Sequence, residues 1–189
     1  LRFVIRDLGD WTHRLITSLA VGDRVVVEGP YGHLAPIPSH PIDHVVWVAG
    51  GVGITPFLGA SISRLPDDGP TPHLFYCVPS RQNAPAIEML EAADREGRIH
   101  LHVHASDEKN RLQADHIITA LGGSRLQDAH IVMCGPDSLV KSMKSGLRRH
   151  GARHMHVEGF DIRSGVGPDL SRHLDDMVRT QLRRFVSTK

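Results

Sequence analysis

A run rich in glycine stands where a short apolar segment gives way to a helical pattern. It consists of Gly50, Gly51, Val52, Gly53, Ile54, Thr55 and Pro56. Glycines let the backbone turn sharply and approach a ligand closely, because they carry no Cβ. The Thr55 hydroxyl can cap the helix that follows, and Pro56 suits the first helical position because no amide hydrogen is needed there. The unpaired amides of a helix start attract anions, so the run predicts a pyrophosphate site, with a turn that only packs as the alternative.

A second junction further along the chain has the same character. Cys134 leads into Gly135, Pro136 and Asp137, again a glycine followed by a proline suited to a helix start. Parallel sheets bind ligands beyond the carboxyl ends of their strands, where the strand order reverses. We therefore expect both junctions to open into one crevice, with Cys134 beside Gly50. On position alone, Cys134 is interpreted as a small core side chain.

The residues after the second predicted strand indicate which dinucleotide is bound. NAD-specific folds usually place a carboxylate there for the ribose hydroxyls, whereas this chain has Ser80 and Arg81. A hydroxyl beside a guanidinium suits a 2′-phosphate, which favours NADP(H) over NAD(H). The alternative is an exposed serine and arginine that only begin a helix.

From residue 44 onward, short apolar runs alternate with helical periodicity. Strands are predicted at 44–49, 73–78, 99–104, 129–134 and 154–158, and helices at 56–65, 83–96, 113–121 and 137–150. This alternation is typical of βαβ units, whose crossovers are almost always right-handed. The predicted fold class is α/β, a doubly wound parallel five-stranded sheet.

The two ends of the chain differ from this pattern. Residues 1–6 and 24–28 have strand character, and a cluster of prolines between 30 and 41 then separates them from the sheet. After Gly165, apolar side chains at helical spacing lie opposite arginines, which predicts an amphipathic helix. We expect three parts: 1–40, 41–163 and 164–189.

Composition excludes several function classes. The formal net charge of +1 argues against nucleic acid as the main partner. Cys77 and Cys134 lie at no metal-type spacing, so we expect a reducing compartment and neither a disulfide framework nor a zinc site. His100, His102 and His104 share one face of a strand, and we interpret them as partly solvated surface side chains rather than metal ligands.

The longest apolar run, 45–49, is far shorter than the roughly 20 residues that a membrane-spanning helix needs. The sequence therefore predicts a cytoplasmic domain. Because the chain begins at Leu1 without a methionine, we expect a piece of a longer protein, which could lie at the cytoplasmic face of a membrane.

Three motifs together resemble the nucleotide-binding domain of the ferredoxin-NADP reductase superfamily. They are Gly50 to Pro56, Cys134 to Pro136, and Val157 to Phe160, and the similarity is closest to bacterial ferric reductase-like and NADPH oxidase-like flavoproteins. The resemblance implies hydride transfer from NADPH to FAD. It also implies that Cys134 lies near the nicotinamide, Glu158 near the reactive end of the flavin, and Phe160 over the flavin face.

The resemblance extends to the first 40 residues, which look like the second half of a flavin-binding barrel. Gly9, Asp10, Trp11 and Thr12 match the turn and helix start that hold the FAD pyrophosphate, and 29–32 match the motif that closes the barrel. The family's flavin-anchoring segment, an arginine followed by an aromatic residue and a serine or threonine, is absent. We therefore expect a truncated barrel that binds FAD poorly in isolation.

The predicted function is an NAD(P)H-dependent flavoprotein reductase that passes electrons from FAD to a haem, a ferric chelate or another acceptor. The implied partners are an upstream barrel half and a membrane haem domain of the same protein, with the tail available for self-association. Two alternatives stay open: a non-catalytic nucleotide-binding or electron-relay subunit whose flavin comes from a partner, and an NADH-dependent oxygenase reductase with an iron–sulfur domain.

Overall fold

Five parallel strands form one sheet in the computed structural model, which describes residues 3–5, 7, 9–27, 42–62 and 69–159. The strands are β1 (His44–Gly50), β2 (His73–Val78), β3 (His100–Ala105), β4 (Ala129–Gly135) and β5 (Met155–Gly159). Their spatial order is β3-β2-β1-β4-β5, so the order reverses between β1 and β4. The predicted doubly wound α/β fold is confirmed.

The described part of the chain contains five α-helices, of which the last four cover the two faces of the sheet. The helices are α1 (Asp10–Ser18), α2 (Thr55–Ile62), α3 (Ile87–Arg95), α4 (Ala114–Ala120) and α5 (Asp137–Arg149), and a short 3-10 helix (Gly51–Ile54) precedes α2. Trp47 and Tyr76 belong to the core beneath α2 and α3, whereas Phe75 and Met133 belong to the core beneath α4 and α5. Within the described ranges, no helix is long and apolar enough to cross a membrane.

Two predicted element boundaries differ from the structure. Helix α3 begins at Ile87 rather than residue 83, because Ala86 has a left-handed backbone (φ 59°) and Pro85 disfavours a helical conformation before it. The strands expected near the N-terminus are not formed at 3–5 or 23–27, which flank α1. A strand needs a neighbour to accept its backbone hydrogen bonds, and apolar side chains such as Val26 are 92% exposed there.

Histidines from β2 and β3 form an array on the sheet face that also carries α4. His73 is aligned with His100 and Phe75 with His102, and the His73 Nδ1 and His102 Nε2 atoms are 3.2 Å apart. The ring of His104 stacks on His116 of α4, with centroids 5.1 Å apart. Among the described residues, no group of three or more potential ligands has an arrangement that could hold a metal ion.

The interpretation of His100, His102 and His104 as partly solvated surface side chains is wrong for one of them. His100 is exposed and His102 half-buried, but His104 is only 8% exposed and its Nδ1 lies 3.1 Å from the Asn110 side-chain oxygen. Burial, together with the neighbouring histidines His100, His102 and His44, lowers the pKa of His73 to about 4. Burial is also the main reason that the pKa values of His102 and His104 are lowered.

Acidification should destabilise the fold through His73. Its pKa is about 4 in the folded chain against 6.5 for a free histidine, so between these values the unfolded state binds more protons. The stability present above pH 6.5 is therefore lost progressively as the pH falls toward 4. Urea unfolding at a series of pH values measures this loss. His73→Gln should flatten the pH dependence, whereas the exposed control His154→Gln should leave it unchanged. If the free energy of unfolding of the wild type stayed the same between pH 6.5 and pH 4, the result would contradict this prediction.

Candidate functional site

A cavity of about 450 Å³ lies at the C-terminal edge of the sheet. Pockets for small ligands and cofactors typically have volumes of about 300–1,000 Å³. Gly50 and Gly51 from the first glycine junction line it, and Pro136 from the second junction does too. The structure thus brings both junctions to one cavity, which extends from the reversal in strand order toward the end of β3.

Most of the glycines at these junctions are required by close packing of the two backbones. A Cβ on Gly53 would lie 2.2 Å from the Cys134 carbonyl oxygen, and one on Gly50 would lie 2.6 Å from Pro136 Cδ. A Cβ on Gly135 would approach the Gly50 nitrogen to 2.9 Å. Gly51 is different: its φ is +55° and a Cβ there would meet no atom within 4 Å. A ligand in the cavity therefore has direct access to the backbone at Gly51.

The amides available to an anion lie earlier in the chain than the sequence predicted, at Gly51 rather than at Thr55. Thr55 is itself helical (φ −57°, ψ −41°) and its amide donates to the Val52 carbonyl, so it does not cap α2 as predicted. The 3-10 helix starts at Gly51 and runs directly into α2. The first amides of a helix have no acceptor within the helix. Here these include the amides of Gly51 and Val52. Pro56, the second residue of α2, lies within the first turn, where a proline costs no hydrogen bond.

Cys134 and Glu158 occupy aligned positions on β4 and β5. Cys134 is buried, and burial followed by the charge of Glu158 raises the pKa of its thiol to about 12. Burial raises the pKa of Cys77, which lines the cavity, to about 12 as well. Both thiols are therefore protonated at neutral pH. Phe160 lies outside the described residues.

Three polar side chains predicted to bind the cofactor lie outside the described cavity lining. Ser80 is partly buried, and the exposed Arg81 pairs through its guanidinium with the Glu91 carboxylate at 2.6 Å. Asp137 in the first turn of α5 pairs with Lys141 at 2.5 Å.

Polar side chains that the sequence analysis did not assign to the cofactor line the cavity instead. Ser106 and Arg111 follow the end of β3, and the buried His104 lies at that end. Their position in the sequence could have indicated this role, because they follow the carboxyl end of a strand, as Ser80 and Arg81 do. Only the strand order reveals that β3 borders β2 and that these residues reach the same cavity.

The residues assigned to the FAD pyrophosphate lie on or beside α1. Thr12 donates a hydrogen bond from its hydroxyl to the Gly9 carbonyl at 3.1 Å, and Trp11 is 73% exposed. The turn at Gly9 and the helix start at Asp10 are formed where the sequence places them. None of these residues is among those described as lining the cavity, so they are not part of this site.

Comparisons with known proteins agree with this architecture. The family model described as "Oxidoreductase NAD-binding domain" matches residues 47–145, more than half of the chain. The carnitine monooxygenase reductase subunit of Escherichia coli is 29% identical over 152 residues, covering 79% of this chain and 44% of the relative. The phenoxybenzoate dioxygenase subunit beta of Ectopseudomonas oleovorans is 31% identical over 150 residues, covering 79% and 43%.

Solved structures show the same fold. The cytochrome b5 reductase domain of Ulva prolifera nitrate reductase superposes with a TM-score of 0.63 at 22% identity, covering 79% of this chain and 66% of that one. The chain spans less than half the length of the two curated relatives above.

Gly53→Ala should destabilise the chain strongly, because its Cβ would overlap the Cys134 carbonyl oxygen. Overpacking of this kind costs at least about 1–3 kcal/mol. Gly59→Ala is a matched control in α2, where an added Cβ meets no atom within 4 Å and the helix gains up to about 1 kcal/mol from propensity. Urea unfolding of both variants measures the difference, and equal stability of the two would contradict the proposed contact.

Proposed function

The chain belongs to the oxidoreductase NAD-binding domain family, and from this we propose that the cavity beyond β1 and β4 holds a nicotinamide dinucleotide. The observation that carries the proposal is the open backbone at Gly51, which lies at the start of a 3-10 helix and faces the cavity. A helix start with unpaired amides favours a phosphate. The residues present therefore fit a pyrophosphate at this point.

We propose the remaining roles from the layout of the cavity and from the strand ends beside it. With the pyrophosphate at Gly51 and Val52, the adenosine end would extend toward Arg111 and Ser106 beyond β3. The nicotinamide end would lie toward Cys134 and Glu158 on β4 and β5. The neutral Cys134 thiol is buried and would act there as apolar bulk, while Glu158 would supply a carboxylate.

We infer that the intact protein is a reductase that passes electrons from NAD(P)H through a flavin. A bound flavin accepts hydride from the nicotinamide, and the protein's part is binding, orientation and electrostatics. In this proposal residues 1–40 are the end of a flavin-binding barrel, 41–163 form the nucleotide-binding domain, and 164–189 are an additional helical tail. Gly9, Trp11 and Thr12 would contact the flavin once the rest of the barrel is present.

The chain covers less than half the length of its curated relatives, so we propose only the class of electron acceptor that the whole protein would use. The names of the two curated relatives above, a monooxygenase reductase subunit and a dioxygenase subunit, favour an oxygenase component as the acceptor. This agrees with the oxygenase reductase alternative, and a haem or ferric acceptor is the competing proposal. A role as a nucleotide-binding subunit with partner-supplied flavin would place the same dinucleotide in the same cavity.

The cofactor preference depends on the charges around the adenosine end. Arg111 lines the cavity and Arg81 lies beside it, and both could bind a 2′-phosphate. Carboxylates near Ser80 and Arg81 favour NADH, because a carboxylate can bind the ribose hydroxyls of NADH. Glu91 is paired with Arg81, and the Asp107 amide donates to the Pro79 carbonyl at 3.1 Å, which holds Asp107 close to Ser80 and Arg81. We propose NADPH as the preferred cofactor, with NADH as the alternative.

Calorimetric titration of the chain with NADPH and NADH, repeated with FAD, tests the proposed function. Saturable binding of a dinucleotide without FAD, with NADPH the tighter of the two, is the expected result. NADH binding as tight as NADPH binding would assign the NADH alternative. Failure of both to bind, with or without FAD, would contradict the proposed site.

Arginine substitutions identify the group that binds the 2′-phosphate. Arg111→Ala and Arg81→Ala should each weaken NADPH binding relative to NADH, by roughly tenfold where a charge-assisted contact is lost. Arg95→Ala, an exposed position in the last turn of α3, is the matched control and should change neither affinity. Equal losses for NADPH and NADH would show that the substituted arginine does not contact a 2′-phosphate.

A further inference from the structure

The hydroxyl of Tyr76 lies behind the glycine junction, on the opposite side from the cavity. Tyr76 is completely buried on β2, in the core beneath α2 and α3. Its hydroxyl lies 3.3 Å from the Gly51 carbonyl oxygen and 3.2 Å from the Pro85 carbonyl oxygen. Burial raises the pKa of Tyr76, so the hydroxyl keeps its single proton and shares it between these two carbonyl acceptors.

The bond to Gly51 determines the direction of a neighbouring amide. In a planar trans peptide, the carbonyl and the following N–H point to opposite sides. Because the Gly51 carbonyl is held toward Tyr76, the Val52 N–H points away from it. That amide is in the first turn of the 3-10 helix, where it has no acceptor within the helix. Gly51 lacks a Cβ that could hold this peptide by packing, so the Tyr76 hydroxyl adds its restraint to that of the 3-10 helix that begins here.

The bond to Pro85 connects a second loop to the first. Pro85 belongs to the connection between β2 and α3, where the Ala84 amide donates to the Arg81 carbonyl at 3.2 Å. One hydroxyl therefore ties the glycine junction after β1 to the loop after β2. Both segments stand at the edge of the sheet where the cavity lies.

We propose that Tyr76 is a positioning residue for the pyrophosphate of the nucleotide. Its hydroxyl fixes the Gly51–Val52 peptide so that the Val52 amide stays available to a phosphate oxygen, and it holds the loop after β2 against the junction. This inference rests on the proposed function, because it assumes that a nucleotide binds at this edge.

Tyr76→Phe tests the role of the hydroxyl, since it keeps the buried ring and removes only the donor. Titrations of the full chain with ADP and with adenosine, followed by amide signals in NMR spectra, separate the pyrophosphate from the rest of the nucleotide. Y76F should bind ADP roughly three- to tenfold more weakly, as expected for one neutral hydrogen bond, with adenosine binding unchanged. The Val52 amide signal should respond to ADP in the wild type and respond less in Y76F.

Ser61→Ala is the matched control for the loss of a buried hydroxyl. Ser61 is buried in α2 and donates to the Phe57 carbonyl at 2.7 Å, within the same helix and away from the junction. S61A should leave ADP binding unchanged. Replacement of Tyr76 by 4-aminophenylalanine keeps an N–H donor at the same place and should restore ADP binding, which also provides a test if Y76F does not fold.

The outcomes separate this inference from the proposed function. Equal ADP affinity of Y76F and the wild type would overturn the positioning role and leave the nucleotide site intact. A folded 4-aminophenylalanine variant that binds ADP several-fold more weakly than the wild type, or an equal loss for ADP and adenosine in Y76F, would also overturn it. A wild-type chain that binds neither ADP nor either dinucleotide would remove the proposed function and this inference together.

Discussion

The approach of two backbones at the reversal in strand order is the contact on which the site depends. Gly53 lies so close to Cys134 that a Cβ would fall 2.2 Å from its carbonyl oxygen, and Gly50 approaches Gly135 and Pro136 in the same way. Any larger residue at these points would separate the ends of β1 and β4. Because the helices that follow these strands begin at the same place, their separation would displace both walls of the cavity. Close packing and ligand access are therefore achieved by different glycines of one run.

The two faces of the sheet contribute differently to this edge. The face beneath α4 and α5 borders the cavity through Cys77 and His104. The opposite face contains Tyr76, whose hydroxyl bonds to the junction from behind, and Cys134, whose backbone meets Gly53. Adjacent residues of a strand point to opposite faces, so Tyr76 and Cys77 can act on the same junction from its two sides.

Pairing of charges decides which side chains remain available to a ligand. Arg81 has the residue type that suits a phosphate, but in this structure its guanidinium is held by Glu91 of α3. Arg111 has the same chemistry and lines the cavity. An ion pair between partly exposed groups contributes at most about 1 kcal/mol, so a phosphate can compete with Glu91 for Arg81. The proposed contribution of each arginine therefore depends on geometry more than on charge.

The sequence alone determined the positions of most strands and helices, because hydrophobic periodicity is a local property. The five strands lie within one residue of their predicted starts and ends, and the superfamily indicated by the glycine junctions, Cys134 and Glu158 is confirmed; the ferric reductase-like branch stays a prediction. The tertiary structure decided what depends on distant neighbours. The burial of His104, the pairing of Arg81 with Glu91 and the place of Arg111 in the cavity depend on how separate segments meet. The strand pattern at 3–5 and 23–27 has no paired neighbour there, and without one a strand pattern does not become a strand.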